Sequence, residues 1–303
     1  MRGLVVTLAL CAGCNTLLGV HGFDRDAGGG DDAPAGDGAG DAPGDVPLVM
    51  CDPTAELGPL QPIVELDASP FAMFVTDVSA DGRTLYLASD RDGMLQVYVS
   101  ERANGTWGTP KAIYSQMLEN EWITVDAEAK SAVLGSSRAT TQPELYYAEG
   151  SGGTFDPGSV PVNLHSNAAE VTPRMSRDRM SLYFGSRRNG SLEIYHADIV
   201  GRDFMNVAPL DTLGTVGAFA PAVTGDELVM YFSKTNTSGV NADVYRSERT
   251  SVTGIFGSPQ FLSAFNSAGD EIVGAVSPDG CTLYINRVDP TPRPYFAVKP
   301  PPM

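Results

Sequence analysis

From about residue 70 to the C-terminus, short runs of alternating apolar and polar residues follow one another, divided by turn residues. In one representative stretch the runs are TPRMS (172–176), SLYFGS (181–186), EIYHAD (193–198) and FMNVAPL (204–210). They mix β-branched and aromatic residues with a period of two, so each predicts a strand. Asp81-Gly82 and Asp279-Gly280 are hairpin-turn dipeptides between a first and a second strand. No helix-period stretch competes, and the predicted class is all-β.

The pattern recurs. SADGRTLYLASDR (79–91), DAEAKSAVLGSSR (126–138), SRDRMSLYFGSRR (176–188), TGDELVMYFSK (224–234) and SPDGCTLYINR (277–287) are five phased copies. A second motif follows each copy and carries Tyr98, Tyr146, Tyr195, Tyr245 and Tyr295, spaced by 48, 49, 50 and 50 residues. Four short strands per repeat of this length is the signature of a propeller blade. The predicted architecture is a five-bladed β-propeller with blades near 70–115, 119–166, 168–213, 217–264 and 268–300. Outer strands are expected from Trp107, Phe155, Phe204 and Phe256, each followed by a Pro. The fifth copy lacks such a segment, and LGPLQPIVEL (57–66) is expected to supply it and close the ring. The alternative is six blades, with a degenerate one at 51–75.

S-x-D-G-x-T-L-Y, then S-x-R, then Tyr and an outer aromatic with Pro beyond, resembles the TolB-type, WD-like propeller repeat. Copies one and five carry it best, through Ser79, Asp81, Gly82, Thr84, Leu85 and Tyr86, and through Ser277, Asp279, Gly280, Thr282, Leu283 and Tyr284. Copy two departs from it at Ala127, Glu128, Ala129 and Val133, and copy four reads as Gly225-Asp226 in reversed order. The resemblance covers roughly residues 57–300.

The N-terminus has a different character. Arg2, the apolar run LVVTLAL (4–10) and the small residues before Cys14 form a secretory signal, too short to span a membrane. CAGC at 11–14 resembles a bacterial lipoprotein box, although Cys11 stands where that family usually has Leu. The resemblance implies a signal peptide over 1–13, a lipid on Cys14 and, because Asn15 is not Asp, the outer membrane or cell surface. A periplasmic or secreted protein is the alternative. Residues 14–50 read as a tether, since DRDAGGGDDAPAGDGAGDAPGDVP (24–47) has almost no apolar side chain to bury.

The chain has 303 residues and a net charge of −17. Seven Asp and one Arg put −6 on residues 15–50 and Arg2 adds one positive charge, so the part from Cys51 onward carries −12. Such acidity disfavours nucleic acid as a partner and membrane contact other than through a lipid. With Cys11 and Cys14 in the signal, Cys51 and Cys281 are a disulfide candidate in an exported chain.

The sequence offers no catalytic or metal-ligating constellation and implies no cofactor. One charged series is phased with the blades. Glu121, Glu170 and Glu271 precede or open first strands, and Arg91, Arg138 and Arg187 follow second strands, with Lys234 and Arg287 in equivalent places. Adjacent antiparallel strands bring these ends together. The series is expected either to pin each blade or to ring the channel mouth for a polar ligand. The reading is of a monomeric, non-enzymatic scaffold with a protein or glycan partner at the propeller face. The alternative is a glycan-active hydrolase using inward carboxylates such as Asp77, Asp126 and Glu170.

Overall fold

The computed structural model describes residues 51–302, apart from 68, 116–117, 140–141, 152–153, 162, 211–215 and 236–240. The signal, Cys14 and tether expectations lie outside the described residues.

A short strand β1 (Gln61–Pro62) and a helical turn α1 (Val64–Asp67) precede the repeats. Blade 1 holds β2 (Met73–Val78), β3 (Thr84–Ser89) and β4 (Gln96–Ala103), with β5 (Thr106–Trp107) and β6 (Lys111–Ala112) both paired to β4. Blade 2 holds β7 (Asn120–Val125), β8 (Ser131–Ser136), β9 (Glu144–Ser151) and β10 (Thr154–Phe155). Blade 3 holds β11 (Glu170–Met175), β12 (Ser181–Ser186), β13 (Glu193–Val200) and β14 (Asp203–Pro209). Blade 4 holds β15 (Ala218–Val223), β16 (Val229–Thr235), β17 (Ala242–Glu248) and β18 (Gln260–Phe261). Blade 5 holds β19 (Asp270–Val276), β20 (Thr282–Val288) and β21 (Pro292–Val298), and its fourth strand is β1. The result is a five-bladed propeller of antiparallel sheets.

The closing strand is shorter than the expected 57–66. Only Gln61 and Pro62 lie in register, opposite Phe296 and Tyr295, flanked by Gly58 N–H donating to Val298 O (2.9 Å) and Ile63 N–H to Pro294 O (3.0 Å). Pro59 and Pro62 suit an outer edge because they have no N–H to leave unpaired. Beyond them the chain turns into α1, which buries Ile63 and Leu66 against Met73, Val75 and Leu87 of blade 1. Disulfide Cys51–Cys281 (Cα–Cα 5.7 Å) ties the start of this segment to the second strand of blade 5.

All five turns between first and second strands have one geometry. Residues 79–82, 126–129, 176–179, 224–227 and 277–280 each close with the N–H of the fourth residue on the carbonyl of the first. The fourth residue takes positive φ every time, at Gly82, Ala129, Arg179, Glu227 and Gly280. Copy four therefore does not reverse the motif: Asp226 keeps its place, accepting from Thr224 Oγ1 (2.5 Å), and Glu227 stands where Gly is expected. A left-handed conformation costs a non-Gly residue roughly 1–2 kcal/mol. Ala129→Gly is expected to stabilise the protein by about 0.5–1 kcal/mol, after the added freedom of the unfolded chain is subtracted. Thermal unfolding with an unchanged or lowered Tm would refute this.

Five apolar clusters fill the spaces between neighbouring blades. Tyr86 and Val97 meet Ile123 and Leu134, Val133 and Leu145 meet Met175 and Phe184, and Tyr183 and Ile194 meet Met230 and Phe232. Ala242 and Val244 meet Val273 and Ile285, and Val75 and Leu87 meet Ala275 and Tyr284. The recurrent tyrosines of the second strand, together with Tyr98, Tyr146 and Tyr195, are buried. They pack blades and do not form an exposed stacking platform.

Candidate functional site

Each first strand carries a register shift, between Val75/Asp77, Asn120/Trp122, Val171/Arg174, Phe219/Ala222 and Val273/Ala275. Bulges of this kind re-aim side chains. Here every junction between adjacent inner strands is bridged by a polar side chain. Asn286 pairs with both the N–H (2.7 Å) and the carbonyl (2.9 Å) of Val75, joining blades 5 and 1. Asp77 accepts from Thr124 Oγ1 (2.8 Å) and Val125 N–H (3.0 Å), joining 1 and 2. Thr124 accepts from Met175 N–H (3.1 Å), and Thr172 from Ala220 N–H (2.9 Å). Ser233 donates to Glu271 O (3.0 Å) and accepts from Val273 N–H (2.8 Å). Gly274 is required at the 5–1 seam, because a Cβ there would meet Val75 O at 2.5 Å.

The axis itself is filled. Arg174, on the inner strand of blade 3, reaches across to the Asp77 carboxylate and to the carbonyls of Thr76 (3.0 Å, blade 1) and Gly274 (2.5 Å, blade 5). Arg177 adds a second guanidinium at 2.6 Å from Asp77 and also donates to Val78 O and Val125 O. Asp77 is 0% and Arg174 2% exposed. Burial opposes ionisation of Asp77, but the charges of Arg174 and Arg177 and the bonds from Val125 and Thr124 outweigh it. They hold the carboxyl below its ordinary range. Burial likewise lowers Arg174 against the pull of Asp77.

The phased acids and bases sit at the opposite end of the inner strands, and only some pair. Glu271 accepts from Arg287 Nε (3.0 Å) and from Ser267 through N–H (3.0 Å) and Oγ (2.5 Å). Glu170 is held by Arg188 (3.1 Å) and Ser166, so the expected partner Arg187 is replaced by its neighbour and is itself exposed. The reason is register: Ser186 ends β12 opposite Glu170, and the side chain two residues on turns back over the blade. Glu121 does not pair with Arg138; it accepts from Ser137 Oγ (2.5 Å). Burial raises its carboxyl, and Glu119 adds to the rise. Glu170 is also raised by burial, which its hydroxyl and Arg188 partners only partly offset.

Within the charged series, what recurs in four of the five blades is an arginine on a tyrosine. Arg91, Arg138, Arg188 and Arg287 lie over Tyr98 (5.1 Å), Tyr146 (3.7 Å), Tyr195 (5.1 Å) and Tyr295 (5.1 Å). Each also donates to a loop carbonyl, of Pro110, Gly158, Leu164 and Phe265 respectively. The series thus clamps the second strand to the third and to the loops beside them. Among the described residues no group of three or more His, Cys, Asp or Glu is placed to hold a metal ion.

The ring resembles TolB. The TolB structure from Acinetobacter baumannii superposes with a TM-score of 0.51 at 19% identity, over 77% of this chain and 56% of that one. The chain therefore spans little over half the length of that protein. An endo-arabinase from Bacteroides thetaiotaomicron superposes equally well (TM-score 0.51, 13% identity), over 80% of this chain and 97% of that one. At these identities the likeness is one of fold. No family model and no curated protein sequence matches the chain.

The strand-end charges recur with the repeat and stand out in the sequence, whereas the central cluster is not phased with the blades. The sequence shows the two residues only separately: Asp77 is the one charged residue in 73–78 and Arg174 the one in 171–175.

Proposed function

We propose that this chain is an exported, envelope-anchored TolB-like propeller that works as a binding or scaffold module and not as a catalyst. The observation that carries the reading is the filled axis. Two-carboxylate glycoside chemistry needs acids that flank a sugar and are free to move protons. Asp77 is fully buried under two guanidiniums, and Glu170 is 1% exposed and bound to Arg188. Asp126 is occupied in its turn, accepting from Lys130 N–H (2.8 Å). Export is supported by the Cys51–Cys281 disulfide, a bond that persists in oxidising compartments. A lipid on Cys14 would give the anchor.

The second reading, a glycan-active hydrolase, is favoured by the shared fold with the endo-arabinase. One comparison separates the two. The full chain is incubated with a panel of arabinan and related glycans, and in parallel is used to capture partners from a bacterial envelope extract. The expected result is saturable capture without turnover. Turnover that is abolished by Glu121→Gln or Glu170→Gln would overturn the proposal.

A further inference from the structure

One cleft of the described surface lies away from the axial cluster, at the outer seam where the ring closes. It measures about 580 Å³ and lies between α1, the segment leading into β2, and the outer hairpin of blade 1. Pro70, Phe71, Trp107 and Pro110 line it together with the exposed acids Glu65 and Asp92. This volume suits a side chain with its flanking backbone.

Phe71 is 42% exposed yet firmly held. Its N–H donates to Ser69 Oγ (3.2 Å), its carbonyl accepts from Arg293 Nη1 (2.6 Å), and the next N–H, of Ala72, donates to Asp90 Oδ1 (2.8 Å). An exposed aromatic on a fixed backbone is pre-organised, so little ordering cost remains for binding. Trp107 already takes a cation, with Arg102 lying 5.5 Å from its ring centroid. Arg91 also lines the cleft, keeping its charge while it donates to Pro110 O and rests on the Tyr98 ring, and the two carboxylates of Glu65 and Asp92 outnumber it. Asp92 accepts from Tyr98 O–H (2.6 Å), which fixes its carboxylate. The charge offered to a ligand is thus negative, beside aromatic and Pro surface, on a domain that is itself acidic.

We propose that this seam cleft binds an extended cationic segment of a partner protein, seating a Lys or Arg side chain against Phe71 between the carboxylates of Glu65 and Asp92. The inference rests on the binding-module reading and gives that module a site and a partner chemistry. Cation–π contact, carboxylate pairing and long-range attraction to the acidic domain would act together.

The test uses the full chain and a fluorescent Lys-Pro repeat peptide, with a Glu-Pro repeat peptide as the counterpart, read by anisotropy. The Lys-Pro peptide is expected to bind in a salt-sensitive manner and the Glu-Pro peptide not to bind. Phe71→Ala should weaken binding about three-fold without changing any charge, and Glu65→Gln with Asp92→Asn about ten-fold. Glu128→Gln, an acid on the turn at the opposite end of blade 2, should leave affinity unchanged. Equal affinity in the wild type and in the combined Glu65, Phe71 and Asp92 variant would overturn the proposal, as would an absence of binding by the wild type. Envelope capture separates this failure from failure of the broader reading. A partner held equally by the combined variant moves the site elsewhere on a binding module, whereas glycan turnover removes the module itself.

Discussion

Asp77→Ala is expected to be among the most destabilising single substitutions in the propeller. It removes the one carboxylate that Arg174 and Arg177 share, and Arg174 has no route to water at 2% exposure. Stranding a buried charge in this way costs about 3–5 kcal/mol. In a domain of this size that is a drop in Tm of roughly 10 °C. The substitution also frees Thr124 Oγ1 and Val125 N–H, so the seam between blades 1 and 2 loosens with the axis. A partner substitution tests the cause. Arg174→Met in the Asp77→Ala background removes the stranded guanidinium and should restore a large part of the loss, because an apolar side chain tolerates the dry axis. If the double variant is no more stable than Asp77→Ala, the cost lies in the seam hydrogen bonds and not in the buried charge.

The pH dependence has a definite sign. The Asp77 carboxyl is held below its ordinary range, so the ionised form is what the fold stabilises. That contribution is complete above the unfolded-state value and is lost only as pH falls through the depressed one. The stability difference between wild type and Asp77→Asn should therefore stay level from neutrality to about pH 4 and shrink below it. Glu121 and Glu170, both raised by burial, act in the opposite sense: their ionisation costs stability at neutral pH and the cost lifts on acidification. The wild type should accordingly resist mild acid well.

The ring was legible in the sequence because its signals are local and repeated five times. A strand-turn-strand unit needs only alternation and a turn residue, and the Tyr98 series marks the phase. The disulfide candidate was legible for a similar reason, since Cys51 and Cys281 were the pair left after the N-terminal Cys. The charge partners were less so. Whether Glu170 meets Arg187 or Arg188 depends on where β12 ends, and a shift of one residue moves a side chain to the other face. The turn of copy four shows the same limit, because Glu227 fills a Gly position only by joining Tyr183 O–H (2.6 Å) and Arg249 in a buried network between blades 3 and 4. The axial cluster draws on blades 1, 2, 3 and 5 at once, over separations of up to about a hundred residues. Nothing local in the chain encodes such a meeting.

The second large effect is expected at the closure. β1 contributes two paired residues, and the other hydrogen bonds of the segment are single ones: Asp52 N–H to Pro300 O (2.9 Å), Lys299 Nζ to Pro53 O (2.6 Å), and the flanking contacts of Gly58 and Ile63. So short an edge strand is weak alone. The disulfide makes the closure covalent across a separation of 230 residues, which the chain-entropy account values at about 5 kcal/mol. Cys51→Ala, chosen because Cys51 is less buried than Cys281, should lower stability by up to that amount. The loss should be local before it is global. Amide exchange in 58–63 and 294–298 is expected to accelerate well below the main transition, while the inner strands stay protected, because the polar ring around the axis does not involve the closing segment. Simultaneous loss of protection in closing and inner strands would instead mean that the propeller opens as one cooperative unit. Unchanged exchange in the closing strand would show that Ile63 and Leu66, packed against blade 1, hold the ring shut without the covalent tie.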